Sequence, residues 1–333
     1  MGIKQTKVLI TGGAGYIGSH TCVELYHAGY IPIIVDNLCN TSIDNIKGIE
    51  KIISYKLKWY NINCCDINAM EKIFEVEKII AVIHFAAFKS VEESVVNPEK
   101  YFTNNLKSLE VVLDCMSKYD VSNIIFSSSC TVYGTPENLP VNENEKFKTA
   151  ESPYGETKQL GEKLLENTDI NSISLRYFNP IGSHSSSLIG DCSADKPANL
   201  VPIITETAIG KRHEITIYGD DYNTYDGTAV RDYIHVEDLA VAHVSATRYI
   251  IKNSGKHAFN VGTGKGTSVL EAIKSFEKSN NIILNYKIGG RRKGDIEKIY
   301  ADPQFIKDKL GWEAKNTLDD AMKSAWEWER NKK

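Results

Sequence analysis

The chain has 333 residues, 42% of them hydrophobic and 25% charged, with 39 basic against 43 acidic side chains and a formal net charge of -4. This is the make-up of an ordinary globular protein with material for a large core and one to three domains. It provides no basic face for nucleic acid and no polybasic membrane patch, and no apolar run approaches the length of a membrane span.

The start, Met1-Gly-Ile-Lys-Gln5, lacks a signal-peptide core, which points to a cytoplasmic setting. Gly2 with Thr6 formally fits an acylation pattern, but a strand beginning a few residues later leaves little tether. The seven cysteines (22, 39, 64, 65, 115, 130 and 192) have no metal-like spacing, so no metal site is expected and a reducing compartment is the natural one.

Val8 to Ile10 form an apolar strand that runs into Gly12, Gly13, Gly15 and Gly18, with a helical pattern from Tyr16. In a strand–turn–helix unit such glycines permit the tight turn, the approach of a pyrophosphate and close helix packing. The first N–H groups of that helix then hold the diphosphate. The next strand, Tyr30 to Val35, ends in Asp36, placed to bind ribose hydroxyls and to repel a 2′-phosphate. Dinucleotide binding follows, with NAD preferred over NADP.

Strands are predicted at Lys58–Ile62, Ile79–Ala87, Asn123–Ser129 and Ser172–Phe178. Helices are predicted over Asn68–Glu77, over Pro98–Lys118 and from Ser152-Pro153. The Ile79–Ala87 run is apolar throughout, as in a parallel sheet covered on both faces, and His84 inside it reads as a packed structural residue. The alternation predicts an α/β fold, a doubly wound Rossmann sheet with ligands at the C-terminal strand ends. From Asn179 the rhythm changes: a Ser-, Gly- and Asp-rich stretch to Pro197 precedes shorter strands at Glu214–Tyr218, Asp232–Val236 and Ala258–Val261. Helices follow at Glu237–Ile251, Ser268–Lys278 and Leu318–Glu329. We expect residues 1–178 to form the NAD-binding domain and 179–333 a smaller α/β substrate cap, with about 213–250 packing back on the first.

Tyr154-Gly-Glu-Thr-Lys158 carries the chemistry. On a helix Tyr154 and Lys158 share one face. A nearby ammonium and a positive nicotinamide ring would draw the phenol below its usual pKa of about 10. Ser129, at the end of its strand, has its hydroxyl at the height to hold the same substrate oxygen.

These segments, with Val35-Asp-Asn-Leu38, His84-Phe-Ala-Ala87, Val132-Tyr-Gly134, Leu175-Arg-Tyr-Phe-Asn-Pro180 and Val230-Arg-Asp-Tyr-Ile-His235, resemble the extended short-chain dehydrogenase/reductase family, and within it the branch that inverts C4 of UDP-hexoses. The likeness runs from Lys7 almost to the last helix. It implies reversible interconversion of UDP-galactose and UDP-glucose through NAD and a rotating 4-keto sugar, with Ser129, Tyr154 and Lys158 as the catalytic trio. Gly12, Gly15, Tyr16, Ile17, Gly18, Asp36, Asn37, Asn40, Asp66, Ile67, Phe85, Ala86, Lys89 and Asn104 match positions around NAD. Asn179, Asn199, Leu200, Tyr218, Arg231, Arg292 and Asp295 match positions around the UDP-sugar, the two guanidiniums being suited to a diphosphate. The resemblance also implies a homodimer through Pro98–Lys118 and Ser152–Asn167, where Leu106, Leu109, Val112, Leu113, Leu160 and Leu164 supply apolar surface.

Two departures bear on the substrate. The uridine-side stretch Gly190 to Ala198 differs from the usual Gly-Glu-Asp-Pro pattern. Ile299 stands where a bulky tyrosine is common, which predicts room for a 2-acetamido group and so for UDP-N-acetylgalactosamine. The competing readings are a 4,6-dehydratase, a uronate epimerase and a catalytically silent NAD sensor. The first needs an Asp-Glu pair where this chain has Cys130-Thr131, and the last has no need of Tyr154 and Lys158.

Overall fold

Seven parallel strands carry the protein. In the computed structural model, which describes residues 6–193, 197, 199–292 and 295–332, the sheet comprises β1 (Thr6–Thr11), β2 (Tyr30–Val35), β3 (Lys58–Tyr60), β4 (Ile79–His84), β5 (Asn123–Ser129), β6 (Asn171–Tyr177) and the strand Lys256–Val261. Their spatial order is Lys256–Val261, β6, β5, β4, β1, β2, β3. The chain winds outward from β1 to β3, returns to the other side of β1 with β4, and winds outward again. That reversal opens a crevice between the C-terminal ends of β1 and β4, where ligands bind in open α/β sheets.

Both faces of the sheet are covered. Helix α1 (Tyr16–His27) and the helices Ile43–Ile53 and Val236–Ile250 bury one face in a core containing Val8, Ile10, Ile34, Ile83, Ile125 and Leu175. The helices Ile67–Val76 and Lys107–Lys118 bury the other with Leu9, Ile33, Val82 and Ile124. A strand facing apolar layers on both sides must be apolar throughout, which is why β1 and β4 show no alternation. A separate cluster, including Ile204, Ile217, Phe276 and Met322, fills the part of the protein built from the chain after Asn179.

The chain departs from the sequence reading in several places. Lys256–Val261, expected among the short cap elements, pairs in register with β6 and completes the main sheet. The helix expected over Pro98–Lys118 is interrupted by one π-turn, Phe102–Leu106, before Lys107–Lys118. The helices Ile43–Ile53, Val91–Val96, Leu200–Ala208 and Gln304–Leu310 are not among the expected elements. All seven cysteines are free, and among the described residues no helix is long and apolar enough to cross a membrane. Gly2 of the acylation pattern and residues 194–196 and 198 of the atypical loop lie outside the described residues.

Candidate active site

The turn after β1 is built from positions that reject a side chain. Gly12 has φ of 71°, in the left-handed region, and a Cβ there would stand 2.9 Å from Ala86 N. A Cβ on Gly18 would stand 2.3 Å from Gly12 O, so α1 can lie directly against the turn. Gly15, at the head of α1, has no side chain to cap it and no acid occupies the first turn, so among the described residues the first N–H groups, at Tyr16 and Ile17, are left for an anion. At the rim, Asp36 takes Ala14 N at 3.0 Å and Leu38 N at 2.9 Å. Burial raises its pKa and the two backbone bonds oppose this, leaving a fixed carboxyl at the end of β2. A tight glycine turn, an uncapped helix start and an acid beside them fit a dinucleotide with free ribose hydroxyls.

Around this cradle stand the other expected residues. Phe85 N donates to Thr11 O at 3.0 Å and Ala86 N to Thr11 Oγ1 at 3.4 Å, closing the crevice between β1 and β4. His84 is structural as read: its Nδ1 meets Thr11 Oγ1 at 2.9 Å, and burial lowers its pKa to about 3. Asn37 and Asn40 sit in the turn after β2, where Asn37 Oδ1 accepts Cys39 N at 3.1 Å. Asp66 caps the helix begun by Ile67, accepting Ala69 N at 3.1 Å. Lys89 Nζ lies 3.4 Å from Asp191 Oδ2 and 5.9 Å from the centre of the Tyr16 ring. Asn104 lies in the π-turn beside Asn105, which the sequence reading missed. Asn105 accepts Phe88 N at 2.8 Å and donates to Phe88 O at 3.1 Å and Thr157 Oγ1 at 3.3 Å, tying the loop after β4 to the helix of Tyr154.

That helix, Pro153–Glu166, starts where it does because Ser152 Oγ accepts Gly155 N at 3.1 Å and Pro153 occupies its first position. It rests on β5 through Gly161, where a Cβ would come within 2.6 Å of the Phe126 ring. The close approach lays Lys158 Nζ 5.0 Å from the Phe126 centroid and 5.7 Å from that of Tyr154. Lys158 donates to Ser127 O at 2.6 Å. Ser129 ends β5, its Oγ accepting Thr131 N at 3.2 Å, and a hydrogen bond from Ser129 also acts on Tyr154.

Burial governs the electrostatics of the two side chains within the protein itself. Burial pushes the Tyr154 phenol up to about 12, the Ser129 bond pulling the other way, and the ammonium does not override it. The same burial draws Lys158 down to about 8, with Glu162 opposing. Desolvation disfavours both charged forms, so the protein's own packing favours a neutral phenol and eases the loss of the lysine's proton.

Of the residues expected around the UDP-sugar, Asn179 opens the short strand Asn179–Ile181, its N–H bonded to Asp232 O at 2.9 Å. Arg231 pairs with Asp295, and the Arg292 guanidinium lies 3.9 Å from the Tyr218 ring centre and 3.7 Å from Glu92. Asn199 is exposed at the start of the helix Leu200–Ala208, and Leu200 packs on the cluster containing Ile217. Ile299 pairs with Arg231 across a two-residue ladder and is buried with Cys130 and Phe178, the neighbours of Ser129 and Asn179. Cys130, its thiol raised to about 12 by burial, offers no substitute for an Asp-Glu proton relay.

The family model described as GDP-mannose 4,6 dehydratase matches residues 9–325. A UDP-glucose 4-epimerase of Dictyostelium discoideum is 45% identical over 329 residues, 97% of this chain and 95% of that one. The structure of UDP-glucose 4-epimerase from Bifidobacterium longum in complex with NAD+ and UDP is 44% identical, covers 98% of this chain and 99% of its own, and superposes with a TM-score of 0.94. The UDP-Glc/GlcNAc 4-epimerase of Campylobacter jejuni is 34% identical over 98% of this chain and 99% of its own, with a TM-score of 0.84. With near-complete coverage at that identity, the chain belongs to the extended short-chain dehydrogenase/reductase family, in its UDP-glucose 4-epimerase branch.

Proposed function

We propose that the protein interconverts UDP-galactose and UDP-glucose by inverting C4 of the hexose, with NAD held in the cradle of Gly12, Gly15, Gly18 and Asp36. The observation that carries this reading is the convergence of Ser129, Tyr154 and Lys158 at the mouth of β5, beside the crevice between β1 and β4. NAD accepts a hydride from C4 and returns it, so none is consumed. Tyr154, drawn to the phenolate by the Lys158 ammonium together with the positive nicotinamide ring and against the burial that otherwise keeps it neutral, takes the proton of the 4-hydroxyl as hydride leaves and gives it back on return. Ser129 holds that oxygen, and Lys158 stabilises the phenolate. Arg231 and Arg292 grip the diphosphate, so binding energy on the remote UDP anchors a sugar free to turn over. Residues 1–178 serve NAD and 179–333 the UDP-sugar, the latter lending Lys256–Val261 to the sheet.

Purified protein given UDP-galactose and no added nucleotide should yield UDP-glucose without net reduction of NAD. Stoichiometric reduction with a stable oxidised sugar defeats the proposal.

Two finer assignments belong with it. The pocket admits N-acetylated hexoses, on the strength of Ile299 and the likeness to the Campylobacter jejuni enzyme named for both sugars. The protein works in the cytoplasm as a homodimer. Of the apolar residues expected at the dimer face, Leu109, Val112 and Leu113 are consumed by the chain's own core, while Leu106, Leu160 and Leu164 stay half-buried. The short helix Val91–Val96 packs on the helix of Tyr154 and adds exposed Val91, Val95 and Val96. A monomeric mass by light scattering at micromolar concentration contradicts the dimer.

A further inference from the structure

Beneath the reacting groups lies a buried polar network that the mechanism above does not use. Glu162 stands one turn beyond Lys158, completing a row with Tyr154 at four-residue spacing. Its Oε1 accepts Arg176 Nε at 3.0 Å and also the Ser128 hydroxyl, and its Oε2 accepts Arg176 Nη2 at 2.7 Å. Both side chains are buried. Arg176 Nη1 donates in turn to Tyr133 OH at 2.9 Å and Glu143 O at 3.3 Å, and Tyr133 donates to Asn260 Oδ1 at 2.7 Å.

Ser128 and Arg176 are cross-strand partners on β5 and β6, so Glu162 grips two adjacent strands from the helix above them. Three consecutive residues of β5 therefore divide the work of alignment. The Ser127 carbonyl holds Lys158, the Ser128 hydroxyl holds Glu162, and Ser129 faces the chemistry. A buried ion pair is weak as a source of stability, since apolar residues of similar volume generally serve as well or better. What it does supply is a fixed register between elements that would otherwise slide on an apolar seam.

We propose that Glu162 is a positioning residue for the reaction: it locks the serine-rich end of β5 to the helix carrying Tyr154 and Lys158, so that the three reacting groups keep one geometry. The inference rests on the epimerase reading above. Glu162 also acts on Lys158 through its charge, pulling against the burial that lowers the lysine. The other titratable or charged groups around the pair are Tyr154 on the same helix, His84 ending β4, Arg176 and Tyr177 on β6, Cys130 and Tyr133 in the turn after β5, and Glu143 in the loop beyond. Of these, burial keeps His84 neutral above about pH 3. Glu162 is thus the group whose removal frees Lys158 to lose its proton earlier.

The test uses the full-length holoenzyme with Glu162→Gln, which keeps the shape and removes the charge, and Ser128→Ala, which removes only the link to β5. In Glu162→Gln, kcat for UDP-galactose should fall roughly 10- to 100-fold with KM within about threefold. The Lys158 Nζ titration, followed by NMR on 15N-lysine protein and assigned by Lys158→Met, should move about one pH unit lower, and the alkaline limb of kcat should move with it. In Ser128→Ala, kcat should fall about tenfold while the Lys158 midpoint stays in place. Wild-type kcat in Ser128→Ala overturns the proposal even if Glu162→Gln fails to fold. An unmoved Lys158 midpoint in folded Glu162→Gln overturns it too. The midpoint is read without turnover, so a wild-type protein that fails to epimerise defeats the functional reading and leaves this comparison standing.

Discussion

Replacing Lys158 by methionine should alter how the stability of the protein responds to alkaline pH. Burial holds the Lys158 ammonium at about 8 against the ordinary 10.5. Between those values the unfolded chain carries a proton that the folded chain has released, so stability rises with pH across that window. Below pH 8 both states are protonated and the full cost of burying the ammonium is present. At 1.36 kcal/mol per pH unit, the whole depression corresponds to about 3 kcal/mol. Lys158 is only 4% exposed, so solvent screening takes little from that figure. Tyrosines with raised pKa values, such as Tyr101 and Tyr133, work in the opposite sense above pH 10, but they are common to both proteins and cancel in the difference. Urea denaturation of wild type and Lys158→Met at steps from pH 7 to 10.5 should therefore show wild type gaining about 3 kcal/mol on the variant. Turnover should run the other way, falling in wild type as pH rises through about 8 and the ammonium is lost. A stability difference that stays flat across the window refutes the argument, because it means that the buried lysine is not depressed.

Tyr154→Phe removes one hydroxyl and almost no volume, so kcat should drop about 10²–10⁴-fold while stability changes by no more than about 1.5 kcal/mol; near-normal turnover rules out Tyr154 as the base. Gly161→Ala places a Cβ 2.6 Å from the Phe126 ring, and overpacking of about 1–3 kcal/mol should outweigh a helix-propensity gain of about 1 kcal/mol. The expected result is a lower Tm together with a lower kcat, and an unchanged Tm shows that Phe126 yields freely. Ile299→Tyr should lower kcat/KM for UDP-N-acetylgalactosamine more than for UDP-galactose, by about tenfold if one side chain's bulk governs access. Equal responses of the two sugars remove position 299 as the gate.

The glycine turn with its neighbouring acid and the helical tyrosine–lysine pair were legible in the chain because each is specified within one turn or one strand. Glycines between an apolar run and a helix, an acid at the end of the next strand, and a tyrosine four residues before a lysine are local patterns, and local sterics and helix periodicity place them. The parallel sheet was legible for a similar reason, since a strand covered on both faces has no polar side to alternate. Glu162 carried a signal of the same kind, being third in the row of Tyr154 and Lys158, but its partners Ser128 and Arg176 come from two other strands. The same holds for the entry of Lys256–Val261 into the main sheet, for Arg231 with Asp295, and for the π-turn that brings Asn105 to Phe88. The pKa values of Tyr154 and Lys158 belong with these. Spacing put a charge beside a phenol, but whether charge or burial prevails depends on how much water the packed elements exclude. Such features join residues far apart in sequence, and only the closing of the layers around the β1–β4 crevice brings them within reach.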